Sequence, residues 1–511
     1  MPAAPEYEYL VRFSEPATPT TWNYIGTTRG ISTTSGDTPA STYVPPALGS
    51  LPTFQLSIFD GTDPVPNPRS SIGSVVLRDP TGVLDAYVSY VTDGGILQLR
   101  RGTPGANLST FSTVAQFTTA GMRYDHNVKE FRLDSLSRIL EASLLHENRY
   151  GGTGGSDGDA TLTGIIRPYG IGQIFNAPPT LVNSATLIYQ ISDSAIYTIA
   201  DIKEGGVALG FGTARADFAA LAGSAPAPGA YDVCYSEGFF RLGSSPTLPI
   251  TVDFTGDTLG GTPYLLRGNI AKRIVTRAGT GVLTSGQVDA TSLAALNAAK
   301  TGTCGWYWNK EITKAAALNE IMEGCLGYWF VDLTGALILG YLYAPGSSPV
   351  KTYTFGDQTG IPTMTESLRP PRWQTWAAYQ RNYFIVDRSQ LAGAVSDADV
   401  QLYTQDAQWK YESYGVTQAA YPTSFARRFY SGLWDGTDAQ NEASSQQLLL
   451  RAPYERWDIP IYEDPFTLAG YLGQRIAISG HSRYSWANPR TFVLVGVSWG
   501  ANLVPTATLW G

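Results

Sequence analysis

Lys314-Ala315-Ala316-Ala317-Leu318-Asn319-Glu320-Ile321-Met322-Glu323-Gly324-Cys325-Leu326-Gly327-Tyr328-Trp329-Phe330-Val331-Asp332-Leu333-Thr334-Gly335-Ala336-Leu337-Ile338-Leu339 changes its hydrophobic period once, from helical to alternating. Leu318, Ile321, Met322, Cys325 and Leu326 recur every three or four residues, which places them on one helix face. Asn309 or Thr313 is the cap candidate, and Gly327 is the expected stop, being free to take positive φ. Tyr328 to Val331 then reads as an aromatic strand, Asp332 to Gly335 as a turn, and Ala336 to Leu339 as the return strand. This helix–hairpin unit, 301–342, holds no histidine, and its carboxylates occupy helix and turn positions.

On either side of it the chain reads as β. Before it, Phe54 to Phe59, Val75 to Arg78, Ile96 to Arg100 and Val128 to Leu133 are short strands, separated by turn residues such as Asp79-Pro80-Thr81-Gly82. Tyr150-Gly151-Gly152-Thr153-Gly154-Gly155-Ser156-Asp157-Gly158 lacks the Gly-Lys-Ser/Thr ending of a phosphate loop and reads as a mobile connector. The segment from Arg167-Pro168 to Pro178-Pro179 is too proline-rich to predict regular structure. Strands resume at Leu187 to Gln190, Ala195 to Ile199, Phe239 to Leu242 and Ile250 to Phe254. Ile270 to Val275 reads as helical or transitional, and Ser292 to Asn297 as a short helix behind Asp289 or Thr291 as cap.

After the unit, Trp373 to Tyr383 is dense in tryptophan and tyrosine, and residues 387–420 lose alternation altogether. Thr437-Asp438-Ala439-Gln440 has capping-box form and opens a helix to about Leu450, and three strands close the chain. The predicted fold is mainly β, a multi-domain barrel or sandwich with a smaller α/β helix–hairpin unit. The predicted domains are 1–148 (β), 149–264 (β), 265–345 (α/β) and 346–511 (β with one helix).

Composition narrows the function. Across 511 residues, 43% are hydrophobic but only 15% charged, against roughly 25% in an ordinary soluble domain. Charge depletion with aromatic enrichment suits assembly subunits, whose interface cores look this way. The net charge of −8 and basic clusters no longer than Arg100-Arg101 and Arg427-Arg428 argue against stable nucleic-acid binding. Cys234, Cys304 and Cys325 are odd in number and widely spaced, predicting free thiols in a reducing compartment and no zinc site. No run approaches the roughly twenty apolar residues of a membrane span, and Met1 to Glu8 does not read as a signal peptide.

Catalytic candidates are sparse. His126, His146 and His481 each lack a second ligand at metal-binding spacing, and no Gly-x-Ser-x-Gly elbow supports a serine triad. Carboxylate pairs of the glycosidase kind can be named, Glu320 with Glu323 or Asp253 with Asp257, but nothing in the sequence supports either. Glu320 and Glu323 read better as a solvated helix face. We therefore assign no catalytic, cofactor-binding or metal residues, no cofactor and no enzymatic activity. The aromatic groups Trp306-Tyr307-Trp308, Tyr328-Trp329-Phe330 and Trp373/Trp376/Tyr379 could stack on sugars or a partner, although β packing favours the same residues.

Several local patterns together resemble a known family. They are Ser74-Val75-Val76-Leu77-Arg78-Asp79-Pro80-Thr81-Gly82-Val83-Leu84-Asp85, Leu97 to Arg101 before Gly102-Thr103-Pro104-Gly105, the Gly-rich run after Tyr150, and Arg167-Pro168-Tyr169-Gly170. Asn176 to Val182, the helix–hairpin turn with Asp332 and Gly335, Tyr379-Gln380-Arg381-Asn382-Tyr383 and Thr506 to Gly511 complete the set. In these the chain is similar to the tail-tip or baseplate hub proteins of long-tailed bacteriophages, of the siphophage or gene-transfer-agent type.

The resemblance implies a virion protein made in the host cytoplasm, a homotrimer closing the distal tail tube through two barrel-like domains per subunit. Its implied partners are the distal tail protein ring, the tape measure protein and tail fibre or spike proteins, with gating of DNA and tape-measure exit. The acidic balance would suit a channel that DNA crosses without sticking. Some relatives carry lysozyme or peptidase domains, and no motif for one stands here. The alternatives are a carbohydrate- or receptor-binding tail protein and an embedded cell-wall hydrolase.

Overall fold

The computed structural model describes residues 7–59, 66, 68–145, 148–366, 370–480, 489–500 and 502–511. Helix Lys314–Glu323 is capped by Thr313, whose hydroxyl accepts from Ala316 N at 3.1 Å. It ends at Gly324, and Leu326, not Gly327, takes the positive φ, 51°. Gly327 is required for space instead. A Cβ there would stand 2.8 Å from Cys325 Sγ and from the Met322 carbonyl oxygen. Strand Gly327–Val331 pairs antiparallel with Leu337–Tyr341 through a turn in which Asp332 accepts from Thr334 N and Ala336 N, with Gly335 at φ 94°.

The molecule is mainly β, as expected. The N-terminal part forms a seven-stranded sheet in the order Asn23–Thr27, Glu8–Ser14, Ile96–Gly102, Ser112–Tyr124, Val128–Asp134, Val75–Arg78, Leu48–Ser50. The second large sheet has eight strands, six from the C-terminal part around Arg490–Trp499 and Pro505–Trp510, and two, Phe54–Ser57 and Arg69–Ile72, from the N-terminal part. Phe54–Ser57 stays out of the first sheet and pairs antiparallel with Arg490–Trp499, Phe54 opposite Trp499. Their rings stack with centroids 4.4 Å apart. One apolar core accordingly holds Leu97, Phe117 and Phe131 from one sheet with Ile459, Val493 and Leu509 from the other.

Strand pairing also crosses the boundary expected at 264. Tyr169–Ala177 lies between Ile250–Gly256 and Gly305–Trp308 in a five-stranded sheet. The sequence reading left this segment irregular. Its prolines, Pro168 and Pro178-Pro179, flank the nine-residue strand and so remove no hydrogen bond from its ladder.

The Gly-rich run before it is likewise tied down. Asp157 accepts from Gly151 N and Thr153 Oγ1, both at 2.8 Å, and pairs with Arg167 at 2.8 Å, while buried Tyr150 donates to Gln190.

Helix Gly436–Leu450 starts at Asp435, whose carboxylate accepts from Thr437 N and Asp438 N. Thr437, the expected cap, is already inside the helix. This helix covers one face of a three-stranded sheet, Gln408–Ser413, Gln374–Tyr379 and Ala426–Leu433, in which the last two run parallel. Residues 387–420, which gave no pattern, contain helix Asp397–Thr404 and the first of those strands.

Candidate functional site

Two of the three aromatic groups are packing. Trp306, Tyr307 and Trp308 are 3–7% exposed. In Gly327–Val331 the alternation splits the strand between two cores. Tyr328 and Phe330 join the core shared by the two large sheets, and Trp329 and Val331 join the core around the helices. The strand is a wall buried on both sides.

The third group differs. On the inner face of the three-stranded sheet, Thr375 Oγ1 donates to Gln447 at 2.7 Å, Glu412 accepts from Ser444 at 2.9 Å, and Ala377 and Phe429 pack with Ala439 and Ala443. Because strand residues alternate in direction, their neighbours point the other way. Register places Tyr411, Trp376 and Arg428 in one row across the three strands, and Trp409, Ala378 and Tyr430 in the next. Trp376 and Tyr411 rings lie 4.5 Å apart, Trp409 and Tyr430 5.7 Å, and Arg428 sits 5.1 Å from the Trp376 ring. Tyr411 is 50% and Tyr430 41% exposed, and Trp376 and Trp409 are half-buried. Trp373, just before the strand, is half-buried too, and its carbonyl accepts from Tyr414 N. Trp409 and Tyr430 were missed because they belong to strands that meet Trp376 only in the fold.

The carboxylates named from sequence are structural. Asp253 is bonded to Lys203 and accepts from Asn176 N at 2.8 Å, and burial pushes its carboxyl above the usual range against the pull of Lys203. Asp257 accepts from the Tyr169 hydroxyl at 2.6 Å and pairs with Arg273 at 2.8 Å. Beside it, Asp193 pairs with Arg277 at 2.5 Å, and burial raises its carboxyl as well. Both of the named aspartates are therefore engaged by a cation. Glu320 accepts from the Trp308 indole at 3.0 Å, a packing contact, and Glu323 lies on the exposed helix face. His126 is exposed in its turn, while His146 and His481 lie outside the described residues. All three cysteines are free and buried, and the described residues contain no cluster of His, Cys, Asp or Glu suited to a metal ion. No described helix is long and apolar enough to cross a membrane.

No protein-family model matches the chain, and no curated protein does. Among solved structures it is similar to a tail protein from Neisseria meningitidis, at 8% identity and a TM-score of 0.35, covering 98% of this chain and 95% of that one. It is similar to a prophage MuSo2 tail protein from Shewanella oneidensis at 7% identity and a TM-score of 0.34, covering 98% and 97%. A chain in the virion of a native gene transfer agent particle matches at 13% identity and a TM-score of 0.38, over 68% of this chain and 84% of that one. Identities and TM-scores this low assign no function by themselves.

Proposed function

We propose that this chain is a structural, non-catalytic subunit of a phage-type tail tip or baseplate, a hub that assembles as a ring at the distal end of the tail tube. The observation that carries the reading is the interlock of two large, mostly antiparallel sheets around one core, the second made of six C-terminal strands joined by Phe54–Ser57 and Arg69–Ile72. That is the architecture expected of a subunit with two barrel-like domains, which the sequence resemblance implies. The low charged fraction and the open aromatic face agree with a surface used in assembly. In this reading the ring joins the distal tail protein above to fibre or spike proteins below, and it gates the exit of DNA and tape measure.

Imaging of particles with this chain labelled tests it. Three copies at the distal tail end are expected, and a position in the head or along the tube overturns the proposal. A channel surface dominated by Lys and Arg would sink the gating role.

The half-buried rings of Trp376 and Trp409 beside exposed Tyr411 favour one second reading, carbohydrate recognition. It requires glycan-array binding that Trp376→Ala abolishes.

A further inference from the structure

The outer face of the three-stranded sheet differs from the rest of the described surface. Seven of the twenty-seven exposed large apolar side chains among the described residues fall between positions 385 and 430, in the sheet strands and the segments around them. Ile385, Tyr414, Val416 and Phe425 lie in the segments that flank the sheet strands. Arg428 lies over Trp376, and Arg381 is 5.0 Å from the Tyr430 ring and 5.1 Å from that of Tyr383. Neither arginine has a carboxylate partner among the described residues, whereas Arg167, Arg215, Arg273 and Arg277 each have one. Asp406, just before strand Gln408–Ser413, is occupied by the Tyr430 hydroxyl at 2.5 Å. The face thus offers two guanidinium groups held by rings and left open to an incoming anion.

We propose that this face is the contact through which one copy of the chain docks on a second copy, whose carboxylates meet Arg428 and Arg381. The inference rests on the assembly reading above. Charge complementarity selects the occupant, since the chain is acidic overall, at −8, while this face carries an excess of arginine. Trp, Tyr and Arg together are the residues that dominate binding energy at protein contacts. Two such faces placed against each other would set arginine against arginine, so the contact is heterologous: this face on one copy and a different, acidic surface on the next. Heterologous contacts close into rings when the rotation permits.

The test uses the full chain, in solution and in assembled particles. Sedimentation velocity over a concentration series is expected to show self-association that weakens with salt. Arg381→Glu/Arg428→Glu should weaken it by about tenfold or more, and Trp376→Ala comparably, with the circular dichroism of the arginine variant unchanged and its Tm lowered only by the small loss of its cation–ring contacts. A photo-crosslinking residue at Tyr411 should capture a second copy outside positions 374–450.

Unaltered assembly in the arginine variant overturns the inference and leaves the hub reading standing. A wild-type chain that is monomeric in solution and single-copy in particles overturns both. Binding of an anionic polysaccharide that Trp376→Ala removes, with assembly intact, makes the face a glycan site and also overturns the inference.

Discussion

Strands Gly327–Val331 and Gln374–Tyr379 are both rich in large aromatic residues, and from sequence both could be core or contact. The first has a packed layer on each side, one core meeting Tyr328 and Phe330 and the other Trp329 and Val331. The second has a helix against Thr375 and Ala377 but no described layer over Trp376. Aromatic content reports a strand's affinity for pleated surfaces. The number of layers stacked on the strand decides whether its rings form a wall or a platform.

Mutation separates the two most directly. Trp329→Ala and Phe330→Ala should each cost about 3–5 kcal/mol in denaturant unfolding, because each opens a cavity in a filled core. Trp376→Ala should stay below about 1 kcal/mol, as surface changes do. An equal cost at Trp376 would mean that its outer face is covered.

Between these extremes, Thr375→Val leaves the buried Gln447 side-chain oxygen without its donor and should cost about 1–3 kcal/mol.

Alkaline titration reads the buried tyrosines, and on the platform it reads Tyr430, whose phenol the hydrogen bond to Asp406 raises. Burial raises the phenol of Tyr328 above its ordinary value and that of Tyr231 to about 12. A raised folded pKa means that the stabilisation is complete below the unfolded value, near pH 10, and is lost as pH climbs toward the folded one. Unfolding free energy should therefore fall above about pH 10, by about 1.4 kcal/mol per pH unit for each such tyrosine. Tyr328→Phe should make that decline shallower. The smallest effect belongs to the platform, where Arg428→Ala removes a cation–ring contact and should cost about 0.5–1 kcal/mol.

Local chemistry was legible in the sequence. The helix–hairpin, its Thr313 cap and its Asp332–Gly335 turn follow from neighbouring residues and emerged nearly intact. Errors arose where distant contacts override local preference. Pro168 and Pro178 suggested irregular structure, yet they frame a central strand whose partners come from 250–256 and 305–308. The glycines at 151–158 suggested mobility, but Asp157 and Arg167 clamp them. That pair was visible in the sequence, though nothing local said that the two side chains would meet. The aromatic platform was half legible, since Trp376 stood out while Trp409 and Tyr430 reach it only through sheet register.

The Phe54–Ser57 strand has a further consequence, in the order of synthesis. The hydrogen bond from Ser57 Oγ to the Val495 carbonyl spans 438 residues. The strand therefore leaves the ribosome long before its partner exists, with Phe54 and Leu56 uncovered. Contacts of such sequence separation form late and slowly. Arg490–Trp499, made long after Phe54–Ser57, acts as a clasp. Until it arrives, the two large sheets cannot share their core, so a nascent chain remains a set of unfinished sheets with open edges. The same topology makes the fold a check on translation, because a fragment that stops short of the clasp lacks the joined core of the finished subunit.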